Sequence, residues 1–401
     1  MRLLWLKSGP LHPLDTGGKL RTYNMLRELS RRHEVTFLAL CPPETPREIL
    51  ESAREYSAKQ IWVPWSETQK FSAGFFTELI GNLFSPLPYV ISKYRSREMT
   101  TRLAELEGKC DAVVCDFLTP AVNWRPSHVP SLLFQHNVEA RIWQRIAENE
   151  TRPLHRWFFR KQWQKLRSFE AESCARFDGV VTVSEEDAEA HRREYSLTNV
   201  LGAVPTGVDT EHFRNDARSP RPRSLVFLGS MDWMANQDSV LWFSAEMWPA
   251  LRAQFPDLTI TIVGRNPPAN IRALAEQPGW TVTGTVPDVR PHLAESEILI
   301  VPLRIGGGTR IKIYEGIAAG LPVVSTSIGA EGLPLHDGEH IVLADTPAAF
   351  VVAISSLLRD DTRRNAIAVQ GRDYVRANFG WSAVTDVFDN YLTAVAAKRA
   401  A

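Results

Sequence analysis

The pattern that most restricts this 401-residue chain is a strand–helix alternation that runs for half its length, stops, and starts again. In the first half, short apolar runs at Leu3–Lys7, Val35–Leu40, Gln60–Val63, Ala112–Cys115, Leu132–Gln135, Gly179–Val183 and Val200–Val204 read as strands. Helical periodicity fills the gaps, most clearly at Lys19–Ser30 and from about Arg156 to Arg176. Such alternation predicts a parallel sheet covered by helices on both faces. The rhythm breaks at Pro205-Thr206-Gly207-Val208-Asp209 and through the polar run Asn215–Arg223. It resumes with strands at Leu225–Leu228, Leu258–Val263, Thr281–Thr283, Ile298–Val301 and Val323–Ser325, and helices at Asp238–Gln254 and Lys312–Ala319. The chain is also too long for one core. The expectation is an α/β protein of two Rossmann-like, doubly wound domains, residues 1–205 and 206–380, facing a central cleft where ligands of open sheets bind. The last segment, 381–401, is helical by pattern over Ser382–Lys398.

Lys and Arg balance Asp and Glu at 46 each, so no whole-molecule field points to nucleic acid or an acidic surface. The four cysteines, Cys41, Cys110, Cys115 and Cys174, form no CxxC pair or metal-finger spacing and read as free thiols of a reducing compartment. The apolar start, Arg2 to Ser8, is short and runs into a glycine loop, so it reads as a first strand rather than a signal peptide. Between Lys70 and Lys93 the only charge is Glu78, but Gly81, Pro86 and Pro88 argue against a spanning helix. A cytoplasmic protein is expected.

One stretch carries most of the chemical information. The strand Ile298–Val301 leads to Gly306-Gly307-Gly308-Thr309-Arg310, then Ile311-Lys312-Ile313-Tyr314-Glu315 opens a helix. A glycine turn running into a helix start offers backbone N–H groups and a dipole to an anion. Arg310 and Lys312 add charge where a diphosphate would sit, and Glu315 follows a turn later to take a sugar hydroxyl. Four weaker loops stand at other strand ends. Gly17 and Gly18 could admit a ligand against the backbone or merely form a turn. His136, in His136-Asn137-Val138-Glu139, could bond a sugar or, with Asn137, cap the next helix. Gly229 and Ser230 could reach a phosphate, with Asn236 a candidate N-cap nearby. Val286 could support a flat base, unless its loop is an ordinary turn with Asp288 as N-cap.

In order along the chain, the Gly17-Gly18 loop, Val181-Thr182-Val183-Ser184, Pro205-Thr206-Gly207-Val208-Asp209, Phe227-Leu228-Gly229-Ser230 and Glu315-Gly316-Ile317-Ala318-Ala319-Gly320-Leu321-Pro322-Val323-Val324 resemble the retaining GT-B glycosyltransferases of the family-four (group 1) type. The nearest look-alikes build bacterial exopolysaccharides and other surface glycans. The resemblance implies transfer of a sugar from a nucleotide-diphosphate donor, UDP- or GDP-linked, to a glycan or lipid-linked glycan acceptor, without metal or further cofactor. It implies Glu315 on the ribose hydroxyls, Val286 in the base loop, Gly17 and Gly18 near the diphosphate and acceptor, and His136 near the transferred sugar. It also implies that the last helix crosses back to the amino-terminal domain.

Two departures qualify this picture. The family often carries a glutamate eight positions before Glu315, where this chain has Gly307. The family's basic pair after the first strand of the second domain is missing from Gly229–Asn236, and Arg310 and Lys312 are the candidates to replace it. Backbone amides of Gly307, Gly308 and Thr309 would complete the cradle. These losses keep one rival open, a non-catalytic nucleotide-sugar-binding partner subunit; a GT-B sugar-nucleotide epimerase is the enzymatic rival, and the loss at Gly307 argues against it. Finally, Phe75, Phe76, Leu79, Ile80, Leu83 and Phe84 fall at helical spacing, and Arg156–Trp163 mixes cations with aromatics. Either could touch a membrane bearing the acceptor, at its inner face, although stripes of this kind usually pack in a core.

Overall fold

A computed structural model describes residues 1–215, 218–305 and 311–400. The chain divides into two compact units, Met1–Pro205 with the segment from Val384 onward, and Thr206–Ala383.

The first unit alternates β1 (Arg2–Lys7), α1 (Gly17–Leu29), β2 (Glu34–Cys41), α2 (Arg47–Glu51), β3 (Lys59–Pro64), α3 (Ala73–Leu83), α4 (Tyr89–Ser92), α5 (Arg97–Glu107), β4 (Ala112–Asp116), β5 (Ser131–Phe134), α6 (Glu139–Asn149), α7 (Pro153–Arg176), β6 (Gly179–Thr182), α8 (Glu185–Tyr195) and β7 (Val200–Ala203). The seven strands lie in the order β3-β2-β1-β4-β5-β6-β7, all neighbours parallel. Strands β4, β5 and β6 are buried throughout, which is why they read as continuous apolar runs rather than alternating ones. Because the sheet is parallel, the loops after β1, β4 and β5 leave at one edge. The first of them runs into Gly17 at the start of α1, and the others carry Phe117 and His136.

The second unit contains β8 (Ser224–Leu228), α9 (Met234–Glu246), α10 (Trp248–Gln254), β9 (Thr259–Val263), α11 (Ala269–Arg272), β10 (Trp280–Gly284), α12 (Arg290–Ala294), β11 (Ile298–Val301), α13 (Ile311–Ala318), β12 (Val323–Ser325), β13 (Val342–Leu343), α14 (Pro347–Arg359) and α15 (Asp361–Phe379). Its six strands run β10-β9-β8-β11-β12-β13 and are again parallel. The expected helix Asp238–Gln254 is two helices. Pro249, in the first turn of α10, has no N–H to continue the α9 ladder, and the chain turns at Met247. Strand β13 was not expected, since two residues are too few to show a period.

Gly316 sets how closely α13 lies on the sheet, since a Cβ there would stand 2.3 Å from the Leu299 side chain on β11. The last helix, α16 (Trp381–Ala400), starts in the second unit and continues in the first. Trp381 belongs to the second unit because its ring covers Gly207, where a Cβ would meet it at 2.5 Å. Farther along, Phe388 packs on Trp5 and Phe134, and Asp389 accepts from His33 Nε2 at 2.8 Å.

The apolar residues of 75–84 do not form a core stripe. Phe76, Ile80 and Phe84 are exposed, Phe84 at 87%, as is Phe71 just before them. The side chain that α3 turns inward is Asn82, which exchanges hydrogen bonds with Gln162 of α7, Ser92 and the Leu87 carbonyl. On α7, Leu154 and Trp157 are also exposed, whereas Gln162 is buried. No helix among the described residues is long and apolar enough to cross a membrane.

Candidate active site

In the first unit, β4 delivers Asp116 to its carboxyl end, fully buried. The carboxylate accepts from Trp5 Nε1 (3.1 Å), Lys7 Nζ (2.8 Å), Thr22 Oγ1 (2.6 Å) and His136 Nε2 (2.8 Å). These donors come from β1, α1 and the end of β5, so one carboxylate ties together three segments at the same sheet edge. Burial opposes charge here, but Lys7 and His136 hold Asp116 far below the usual carboxylate range. Lys7 is itself lowered by burial, partly offset by Asp116.

His136 lies flat on Phe117, ring centroids 3.8 Å apart, with Phe134 tilted against it. Burial pushes its pKa down to about 4, outweighing the attraction of Asp116, with Lys7 and Arg21 pushing the same way. The ring is therefore neutral through the physiological range. The glycine loop meets this ring directly. Gly17 and Gly18 open α1 behind the N-cap Thr16. A Cβ on Gly18 would stand 2.8 Å from the Phe117 ring and 3.7 Å from His136 Nδ1. Gly18 is thus needed for close approach, not only for a turn.

His136 and Asn137 do not cap α6. The N–H groups of Glu139 and Ala140 donate instead to Glu170 of α7, at 2.9 and 3.0 Å, and Tyr195 donates to the same carboxylate. Burial raises Glu170 to about 7 despite these donors. The sequence concealed this cap because the partner lies 31 residues away, beyond any capping-box spacing.

In the second unit, the glycine after β8 receives a cation from α13. Lys312 Nζ donates to Asn236 Oδ1 at 2.8 Å, and Asn236 Nδ2 donates to the Ser230 carbonyl at 2.8 Å. A Cβ on Gly229 would stand 2.8 Å from Lys312 Nζ. Asn236 lies inside α9 and is buried; the N-cap is Trp233. The absence of Arg or Lys from Gly229–Asn236 is thus answered in space by Lys312. A second cation comes from the end of β9: Arg265 Nε reaches Ser230 Oγ and Asp232 Oδ2, both at 3.1 Å. Arg265 went unnoticed in the sequence, although its place directly after a strand at this edge could have marked it.

Glu315 stands one turn after Lys312 on α13, half-buried. Burial raises its pKa to about 7, against the pull of Lys312. Among the described residues its carboxylate has no hydrogen-bond or salt-bridge partner. Val286 follows β10 and is half-buried against the apolar cluster to which Ile313 and Ile317 belong. Asp288 accepts from the Arg290 N–H at the start of α12, as an N-cap-like acceptor would. Gly307, Gly308, Thr309 and Arg310 lie outside the described residues.

Two family models match the chain: glycosyltransferase family 4 over residues 16–212 and glycosyl transferases group 1 over 222–360. A 44.6 kDa protein of the Klebsiella pneumoniae cps region is 21% identical, aligned over 92% of this chain and 94% of its own. A phosphatidyl-myo-inositol mannosyltransferase from Mycobacterium leprae is 31% identical over 45% of this chain and 50% of its own length. Among solved structures, HepE from Anabaena, determined with UDP, superposes with a TM-score of 0.65 at 12% identity, covering 98% of this chain and all of that one. The chain belongs to the GT-B glycosyltransferases of the group 1, family 4 type. It is a glycosyltransferase by family and by fold.

Proposed function

We propose that the protein is a retaining, metal-independent transferase that takes a UDP- or GDP-linked sugar and delivers it to a glycan or lipid-linked glycan in surface or exopolysaccharide synthesis. The observation that carries the donor half of this reading is Glu315: a half-buried carboxylate with no partner among the described residues, one helical turn from an ammonium seated at Gly229. A half-buried carboxylate that no protein group engages can take the donors that a ligand brings. A ribose offers two adjacent hydroxyls. The diphosphate attached to it then falls toward Lys312, with Arg265 at the neighbouring loop.

In this reading Lys312 acts most strongly as the sugar–phosphate bond breaks and charge collects on the leaving diphosphate. Protein cations supply the stabilisation that a divalent ion would otherwise give. His136, neutral and held in place, addresses the sugar or acceptor hydroxyls. The retaining outcome is taken from the family resemblance. The UDP bound to the structural neighbour and the lipid named for the mannosyltransferase relative agree with the donor and acceptor classes. Exposed Phe76, Ile80 and Phe84, with exposed Lys70, Arg156, Arg160 and Lys161, support peripheral contact with an anionic bilayer holding that acceptor.

The test is calorimetric titration of UDP, GDP and ADP into the wild type, Lys312→Ala and Glu315→Ala. One nucleotide should bind, and each substitution should weaken it by roughly 10- to 100-fold, the cost of a lost charge-assisted hydrogen bond. Binding indifferent to both substitutions, or none, would overturn the donor site. Binding without hydrolysis or transfer of any matching sugar nucleotide would favour a non-catalytic subunit.

A further inference from the structure

We infer that Asp116 is a positioning residue that holds His136 as the Nε2–H tautomer, so that the bare Nδ1 lone pair faces the Gly17-Gly18 loop and accepts a hydroxyl hydrogen from the bound sugar or acceptor. This rests on the glycosyltransfer reading for the identity of the hydroxyl, but not for the state of the ring.

The geometry leaves little freedom. Asp116 Oδ1 is 2.8 Å from Nε2, and its Oδ2 is already taken by Trp5, Lys7 and Thr22. All three are donors, so the carboxylate stays ionised and can only accept. The hydrogen between Asp116 and His136 therefore belongs to the ring. A neutral ring carrying hydrogen on Nε2 has its lone pair on Nδ1. The charged groups influencing His136 are Asp116 on β4, Lys7 on β1 and Arg21 on α1, while Phe117 and Phe134 pack on its ring. Two cations against one carboxylate, in a buried place, disfavour a second proton on the ring. Phe117, stacked on its face, opposes rotation of the imidazole, and a side chain at position 18 would collide with Phe117. Thr22, on α1, gives its hydroxyl hydrogen to the same carboxylate and accepts from Lys7, so the carboxylate that orients the ring also anchors α1.

What results is an acceptor, not an acid. A ring in this state cannot donate a proton to the substrate from Nδ1, and it does not become a cation near neutral pH. It takes a hydrogen bond from a hydroxyl, which orients that hydroxyl oxygen for reaction or fixes the sugar that carries it. The same carboxylate–imidazole pair with the opposite tautomer would present a donor, and would suit a different group.

Two measurements test this. Long-range proton–nitrogen spectra of histidine-labelled wild type, with the His136 signal identified by its loss in His136→Gln, should show the Nε2–H tautomer without titration between about pH 5 and 8. An Nδ1–H tautomer, or titration near the ordinary histidine value, would overturn the inference without any reference to activity. In donor turnover, His136→Asn places an amide oxygen at the Nδ1 position, whereas His136→Gln places its amide near Nε2. The Asn variant should keep kcat within about 10-fold, and the Gln variant should lose about 100-fold or more, with donor KM little changed in both. Equal losses, or a better Gln variant, would also overturn it. If the wild type shows no turnover with any sugar nucleotide, the glycosyltransfer reading fails, and the spectra alone still decide the state of the ring.

Discussion

Each unit sets a carboxylate near a lysine, and the two carboxylates are kept in opposite conditions. Asp116 in the first unit has four donors and is held ionised far below its ordinary range. Glu315 in the second unit has none among the described residues and is pushed up to about 7. Asp116 is fully buried and Glu315 half-buried, and the two also differ in their supply of hydrogen. Asp116 is finished by the fold, so its role is to hold other groups still. Glu315 has no such donors, and in the proposed donor site the nucleotide supplies them. An internally satisfied group indicates a positioning role, and an unsatisfied one indicates a ligand.

The contrast breaks most sharply under truncation. Asp116→Ala strands Lys7 as a buried unpaired cation and should cost about 3–5 kcal/mol of unfolding free energy, read by denaturant titration. Glu315→Gln should do the opposite where the carboxylate is charged. Its folded pKa lies above the ordinary carboxyl value, so the folded state binds the proton more tightly. At pH below that ordinary value both states are protonated and nothing is lost. As pH rises from there through about 7, the unfolded chain ionises first and the folded state loses stability. The nucleotide-free Gln variant should therefore melt a few degrees above wild type at about pH 8, with the gain fading toward about pH 4. Equal melting at both ends would mean that Glu315 is already satisfied.

Ligand binding sharpens the same point. If two hydroxyls complete Glu315, the bound pKa falls and nucleotide binding releases protons below about pH 7 and few above pH 8. Calorimetry in buffers of different ionisation enthalpy measures this release, and Glu315→Gln should abolish it. The smallest effect concerns the surface. Ile80→Ser with Phe84→Ser should weaken sedimentation with phosphatidylglycerol vesicles several-fold and leave nucleotide affinity unchanged. Unaltered sedimentation would remove α3 from the membrane reading.

The alternation of strands and helices was legible because buried parallel strands are continuous apolar runs, and twelve strands were expected close to where they lie. The candidates at strand ends were legible for the same reason: the end of a parallel strand announces its edge of the sheet. What escaped was pairing across distance. Asp116 reads as the last residue of an apolar strand, and nothing nearby reveals that Trp5, Lys7, Thr22 and His136 converge on it. Glu170 capping α6 was hidden alike, whereas Arg265 beside Ser230 carried a signal in its place after a strand. The reading of Phe76, Ile80 and Phe84 as core failed because periodicity shows that a helix has an apolar face, not what lies opposite it. Here the inward contact is made by Asn82 and Gln162.

The closing helix has a consequence for how the molecule is made. Trp5 on β1 and Phe134 on β5 are both covered by Phe388, more than 250 residues later than Phe134 in the chain. The first unit therefore stays unfinished throughout synthesis of the second, which is complete in sequence before Val384 appears. The unit translated earlier of the two is the one that matures later, and until then its aromatic seam is open to chaperones and to other nascent chains.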